Sequence, residues 1–235
     1  MLKKIITIIF ITFLFPSLET EEYIYDVEIK GISIIAGNVG KCSLKIEKNE
    51  NNGYEMEIIT KTTNLAKILY PYVDKIKLKI DDYFSLLSIE QKTSNRNKKI
   101  KIDVNKNNKT IIRNDKVLNF YADTLFSPYS LIHFLRNKKI EINNEYNYKI
   151  FDGWKIKDIL LQVSKIEKIE VPYGTFECLN IKPITEKNAI KNNGALELWY
   201  TNTEDKIPIK IKLETKVGTF IMKLNKINKK WKLYY

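Results

Sequence analysis

Isoleucine or leucine alternates with lysine along much of this chain. In "KIKLKI", Ile76, Leu78 and Ile80 stand against Lys75, Lys77 and Lys79. "KKIKIDV" sets Ile100, Ile102 and Val104 against Lys99, Lys101 and Asp103, and "PIKIKLE" sets Ile209, Ile211 and Leu213 against Lys210, Lys212 and Glu214. Period-two patterning predicts strands with one dry face and one solvated face. Further runs predict strands at 23–30, 33–47, 54–63, 84–93, 110–113, 146–151, 156–171, 175–183, 196–200 and 219–227. Turn-forming stretches separate them: "NENNG" at 49–53, "NKNNK" at 105–109, "PYG" at 172–174 and "KNNG" at 191–194. So many strands on short links pair antiparallel, and such a sheet must curl on itself or pack as two layers. The predicted fold is mainly β, a curled antiparallel sheet forming a half-barrel or open barrel around one central helix.

The helix is predicted where the period breaks, in "DTLFSPYSLIHFLRN" at 123–137. Ser127 suits the cap and Pro128 the first turn. Pro128, Leu131, Ile132 and Leu135 then share one side at three- and four-residue spacing, and Lys138 and Lys139 suit the negative end of the dipole. A helix of about ten residues does not persist alone in water, so tertiary packing must hold it. Its apolar breadth exceeds what one sheet face need cover. A cleft between sheet and helix is therefore expected to take a lipid-like or amphipathic ligand, lined by Phe126, Tyr129, Ile132 and Phe134, with Trp154 and Trp199 as further candidates.

The formal charge of +12 raises nucleic acid as a partner, but arginine stands only at 96, 113 and 136 among the 40 Lys and Arg residues. Lysines spread along a chain, without the arginines that read base edges, do not make a nucleic-acid surface. They are instead the solvated faces of strands. The first residues, "MLKKIITIIFITFLFPSLE", carry Lys3 and Lys4 before an uncharged run from Ile5 to Phe15. This predicts a signal peptide over 1–18 and a single exported β-rich domain over 19–235, in the periplasm or cell envelope, with an uncleaved N-terminal anchor as the alternative. Export opens the option of a disulfide between Cys42 and Cys178; two buried free thiols are the other reading.

Candidate chemistry is thin. Ser130, His133 and Asp123 supply the residue types of a hydrolytic triad, but no GxSxG turn or Gly-rich oxyanion loop accompanies them. With one histidine and no CxxC, zinc lacks ligands, and no phosphate-binding glycine motif is present. Neither a metal nor a cofactor is expected, no catalytic residue is assigned, and the protein is predicted to be a non-enzymatic monomer. The alternative to ligand binding is an interaction module whose lysine-rich sheet face meets an envelope protein or anionic polymer; a hydrolase is the third reading.

The order of these signals resembles a family. A first strand leads into "GISIIAG" at 31–37, then come the helix stretch, "DGWKI" at 152–156, "VPYGTFECLNIKP" at 171–183, "LELWYTNTEDKIPIKI" at 196–211 and "VGTFIMKL" at 217–224. This resembles the bacterial exported-protein family known as domain of unknown function 3108. Its helix ending in Leu-Arg, its P-x-G-x-F hairpin and its Asp-x-x-x-Pro strand start map to Asp123, Leu135, Arg136, Pro172, Gly174, Phe176, Asp205 and, one residue early, Pro208. The resemblance implies an antiparallel sheet curled round a helix, similar in outline to periplasmic lipid-carrier half-barrels, with no established activity. The mapped residues, with Gly31 and Gly37, read as scaffold. Gly174 suits a positive-φ hairpin turn, Asp205 a turn closed by its side chain, and Arg136 an ion pair with Asp123, Asp152 or Asp205.

Overall fold

The computed structural model describes residues 17–30, 37–49, 52–94, 98–114, 116–184, 196–215 and 218–232. Along the chain these form β1 (Ser17–Lys30), β2 (Asn38–Lys48), β3 (Tyr54–Thr62), α1 (Asn64–Leu69), β4 (Val73–Ile80), β5 (Leu86–Thr93), β6 (Lys98–Asn105) and β7 (Thr110–Arg113). There follow β8 (Lys116–Asn119), α2 (Pro128–Arg136), β9 (Glu145–Phe151), β10 (Ile156–Val171), β11 (Gly174–Pro183), β12 (Leu196–Thr201), β13 (Pro208–Thr215) and β14 (Gly218–Lys232). All join one sheet in the order β8-β7-β6-β5-β4-β3-β2-β1-β14-β13-β12-β11-β10-β9. Every neighbouring pair is antiparallel. Odd-numbered strands therefore run one way and even-numbered strands the other. Links after odd strands lie at one end, called the upper end here, and links after even strands lie at the lower end. α1 is at the upper end and α2 at the lower.

The alternation predicts the facing correctly. Leu78, Ile80, Ile102, Ile209 and Ile211 are buried, while Lys75, Lys77 and Lys79 point outward against Glu57 and Glu55. Three features differ from the sequence reading. β8 was not expected, because "KVLN" offers four residues and no alternation. A second helix, α1, interrupts the link from β3 to β4. β1 starts at Ser17, inside the expected leader, because its partner β14 extends to Lys232 and the two pair along their whole length. Residues 1–16 of that leader, Gly31 and the first residues of the 33–47 strand lie outside the described residues.

The sheet does not close into a barrel; β8 and β9 are its edges. Residues 125 and 126 reach from one half to the other. The Leu125 carbonyl accepts the Leu86 N–H at 2.7 Å, while Phe126 N–H donates to Lys149 at 2.9 Å and its carbonyl accepts from Phe151 at 2.7 Å. The chain then turns into α2. The Ser127 hydroxyl accepts the Ser130 N–H at 3.0 Å, and the Ser130 hydroxyl accepts the Ser127 N–H at 3.0 Å, a reciprocal cap ahead of Pro128.

α2 lies against the inner face at the lower end. Leu131, Ile132 and Leu135 are buried. Tyr200 of β12 donates its hydroxyl to the Ile132 carbonyl at 2.8 Å. Phe134 meets Phe126 at 4.6 Å and Tyr148 of β9 at 5.6 Å between ring centroids. Arg136 reaches Glu21 of β1 at 2.6 Å. Strands from the middle and from one edge of the sheet order thus touch a helix about 14 Å long, which requires the sheet to curl round it.

The Arg136 partner corrects the sequence expectation. Asp123 instead pairs with Lys109 at 3.0 Å, Asp152 with Lys157 at 2.6 Å, and Asp205 offers Arg136 only its carbonyl, at 3.3 Å. Glu21 was missed because it lies 115 residues away, on a stretch read as the margin of a leader. Side-chain exposure is 6% for Glu21 and 14% for Arg136, so the pair is largely dry. Tyr23 donates to Glu21 at 2.9 Å, the guanidinium lies 5.3 Å from the Tyr23 ring centre, and Lys229 approaches Glu21 at 3.5 Å. Burying two charges costs several kcal/mol, and only this density of partners offsets it. Arg136→Met is expected to lower stability by about 3–5 kcal/mol, because Glu21 is left charged and enclosed. Combining it with Glu21→Gln should cost clearly less than the two singles added, as read by urea denaturation; strictly additive losses would show that the two side chains are not coupled.

Candidate functional site

The residues of the hydrolytic reading are held apart. The Ser130 hydroxyl is engaged with Ser127, donating to its carbonyl at 3.3 Å. His133 is buried with Nε2 unpartnered, and its ring lies 5.8 Å from that of Tyr23. The Asp123 side chain is fully exposed beside Lys109. No hydrogen bond joins the three. Burial, reinforced by the Arg136 charge against an opposing pull from Glu21, pushes the His133 pKa down to about 3.

The six ligand-lining candidates do not share one cleft. Phe126 and Ile132 are buried in the packing of α2, and Phe134 and Tyr129 are half-buried beside them. Phe126 and Phe134 form an aromatic cluster with Phe84 and Tyr148 at the lower end. Trp199 faces the other way: its neighbours Leu198 and Tyr200 point inward, while its Nε1 donates to Glu167 at 2.7 Å and Lys210 lies 4.2 Å from its ring centre. Trp154 sits in the upper link from β9 to β10, 59% exposed, with the Arg113 guanidinium 3.3 Å from its ring centre. Alternating apolar residues in both phases concealed these facings.

The incompletely covered surface is the upper half of the inner face. Beside α2, inward residues such as Tyr23, Leu44, Met56 and Leu224 are fully buried. Farther up the sheet, Ile29, Ile76, Leu213, Phe220 and Met222 point inward yet are only half-buried. Ile29 stands opposite Phe220 and Leu213 opposite Phe220, so β1, β14 and β13 form one apolar wall. Above Ile76, the upper end of the β3–β4–β5 wall is polar. Asp74, 8% exposed, receives both carboxylate bonds of the Gln91 amide at 3.0 and 2.9 Å and the Thr93 hydroxyl at 2.6 Å; Thr60 is its neighbour across β3. No lysine or arginine among the described residues pairs with Asp74. Sequence signs were available in "VDKIKL" and "IEQKT", where a polar residue takes the inward phase near one strand end.

A family profile, "Protein of unknown function (DUF3108)", matches residues 25–225. The chain belongs to this family. Among solved structures, a β-barrel-like DUF1849 protein from Brucella abortus aligns with a TM-score of 0.63 at 13% identity, covering 91% of this chain and 98% of that one. A protein from Parabacteroides distasonis, provisionally described as a lipoprotein, gives 0.37 at 16% identity over 91% and 97% of the two chains. One from Bacteroides fragilis, provisionally described as exported with a YmcC-like fold, gives 0.37 at 13% over 92% and 99%. At these values the first supports the fold alone. No curated protein matches the chain.

Most motif residues of this DUF3108 domain do structural work. Gly37 and Gly174 have φ of +91° and +146°, and a Cβ on Gly174 would meet the Phe176 ring at 3.2 Å. Pro208 begins β13 and its carbonyl accepts the Tyr25 hydroxyl at 2.9 Å. The turn at Asp205 is closed by Thr201, whose hydroxyl accepts the Ile207 N–H at 2.9 Å, rather than by the Asp205 side chain. Cys42 and Cys178 are free and buried, so the bridge is absent; they lie on β2 and β11, with four strands between them in the sheet order.

The buried histidine carries a pH signature. Its folded pKa is depressed, so its contribution to stability is complete above about 6.5 and declines as pH falls toward about 3. Arg136 and its other partners, overcoming the cost of burial, likewise hold the Glu21 carboxyl below 4.5, and its contribution is lost only below that value. Between pH 6.5 and 4.5 the one histidine acts alone, lowering stability by at most about 1.4 kcal/mol per unit. His133→Gln should flatten that slope in urea titrations across this window; an unchanged slope would place the protonation elsewhere.

Proposed function

We propose that this chain is a non-enzymatic, exported envelope protein that holds an amphipathic ligand against the upper inner face of its sheet. The supporting observation is the burial gradient: inward Ile29, Leu213, Phe220 and Met222 lose cover where α2 ends. Leaving such a surface wet forgoes roughly 25 cal/mol for each Å² left uncovered, which a guest would recover. The opposite wall gives the guest its chemistry. Asp74 is a buried anion served by neutral donors, so a ligand carboxylate or phosphate placed against it would be repelled, whereas a hydroxyl or amine head would bond to it.

The sheet's outer face suits an anionic polymer less well. Lys75 pairs with Glu57 at 2.6 Å and Lys79 with Glu55 at 3.6 Å. A shallow groove of about 300 Å³ there is lined by Lys45, Lys77 and Lys79 against Glu47, Glu55, Glu57 and Glu90, a set with no excess of positive charge.

Mass spectrometry of protein extracted from its host envelope should reveal a co-purified amphiphile. In displacement of a bound fluorophore, dodecylamine should outcompete dodecanoate by about tenfold or more, and Asp74→Asn should abolish the preference. Leu213→Trp should weaken both ligands by filling the apolar wall. Displacement by neither, or equal affinity in Leu213→Trp, would remove the reading.

A further inference from the structure

We infer that the upper end of the sheet docks on an anionic lipid surface through α1. In this six-residue helix the apolar stripe is turned outward: Leu65 is 64% exposed, Ile68 78% and Leu69 56%, while only Ala66 is buried. Spacing of three and four residues from Leu65 puts the three large residues on one side, and a short helix packed on its own sheet would ordinarily turn that side inward. Tyr70 and Val73 continue the patch at 52% and 42% exposure. Five large apolar side chains within nine residues are not the scattered exposure normal for a surface.

Charge selects the occupant. From Lys61 to Val73 the chain contains no Asp or Glu, and Lys61 and Lys67 are exposed with no ion pair among the described residues. Several lysines of the sheet face, Lys75, Lys79 and Lys223 among them, are paired with glutamates; these two are not. Exposed aliphatics ringed by unpaired lysine, with tyrosine at the margin, match the interface of an anionic bilayer, where such a segment beds about 5–10 Å deep without spanning. No helix among the described residues is long and apolar enough to cross a membrane. Trp154, the exposed aromatic in the β9–β10 link, lies at the same end and would meet the same interface.

The helix is presented on a fixed stem. Thr62 N–H donates to the Tyr72 carbonyl at 3.0 Å, the Thr62 hydroxyl accepts the Tyr72 N–H at 3.0 Å, and Thr63 N–H donates to Val39 at 3.0 Å. Docking there would bring the half-covered inner face to the lipid headgroups, although the inference stands whether or not that face binds a ligand. The start of β1 and Trp231 are at the opposite end, so contact through α1 is separable from any contact through the N-terminus.

The test is co-sedimentation of the full chain with phosphatidylcholine vesicles, with and without 25% phosphatidylglycerol, in about 0.1 M salt. Binding should require the anionic lipid. Ile68→Ser with Leu69→Ser should reduce it at least tenfold, and Lys61→Gln and Lys67→Gln by about fivefold each. Circular dichroism and thermal midpoint should not move, since these side chains are exposed. Brominated lipid should quench tryptophan emission in the wild type and in Trp231→Phe but not in Trp154→Phe. Undiminished binding by the Ile68/Leu69 variant overturns the inference. So does quenching that depends on Trp231, or a wild-type dimer that this variant makes monomeric, which would assign the face to a second copy of the chain.

Discussion

The structure depends on an ion pair that joins Glu21, turned inward near the start of β1, to the last residue of α2. Fourteen antiparallel strands will curl, but nothing in a uniform ladder says where the inside should be filled. Arg136 settles this by meeting Glu21 in a largely dry setting, where either charge alone would be costly. Tyr23 and Tyr25 of the same strand extend the clamp, one to the carboxylate and the other to the carbonyl of Pro208. β1 is also the strand through which the two halves of the sheet are joined, by β2 on one side and β14 on the other. Fixing the helix to that strand fixes it to both halves at once.

The position of the clamp leaves the two ends unequal. α2 has nine residues, whereas β1 has 14 and β14 has 15. At about 3.3 Å per residue the strands outrun the helix roughly threefold. The lower half of the inner face is therefore covered and close-packed, with Tyr200 satisfying a helix carbonyl and the Phe84–Phe126–Phe134–Tyr148 rings filling the remainder. The upper half has no second helix to cover it, because α1 turns its apolar side outward. The same shortage of helix accounts for the half-buried inner wall and for the exposed tip.

Much of the fold was legible because sheets advertise themselves through period two. Ile76, Leu78 and Ile80 needed no tertiary information to be placed inward, and Ser127–Pro128 announced the helix start that the reciprocal cap then made. What was not legible depended on partners far apart in the chain. No local pattern links Glu21 with Arg136, and Asp123, Asp152 and Asp205 looked as suitable. Trp199 and Trp154 were read as ligand-lining on residue type alone, yet facing is set by register, and register put one outside the sheet and the other on its rim. The polar wall was visible but unread: Asp74 and Thr93 stand opposite each other only once β4 and β5 are paired.

Composition misled in one further respect, and correcting it bears on function. A formal charge of +12 suggests a uniformly basic surface. Neighbouring glutamates break that uniformity: across strands Glu57 serves Lys75 and Lys77, Glu28 serves Lys223 and Glu197 serves Lys212, which Glu214 of the same strand also meets. Solvent-exposed pairs of this kind add little to stability, but they cancel field locally, and field beyond a Debye length of about 10 Å is screened in any case. What a partner senses is therefore the unpaired charge nearest to it. At the upper end that charge sits beside bare leucine and isoleucine, a combination that water disfavours and that neither a polyanion nor a neutral protein surface would match on both counts.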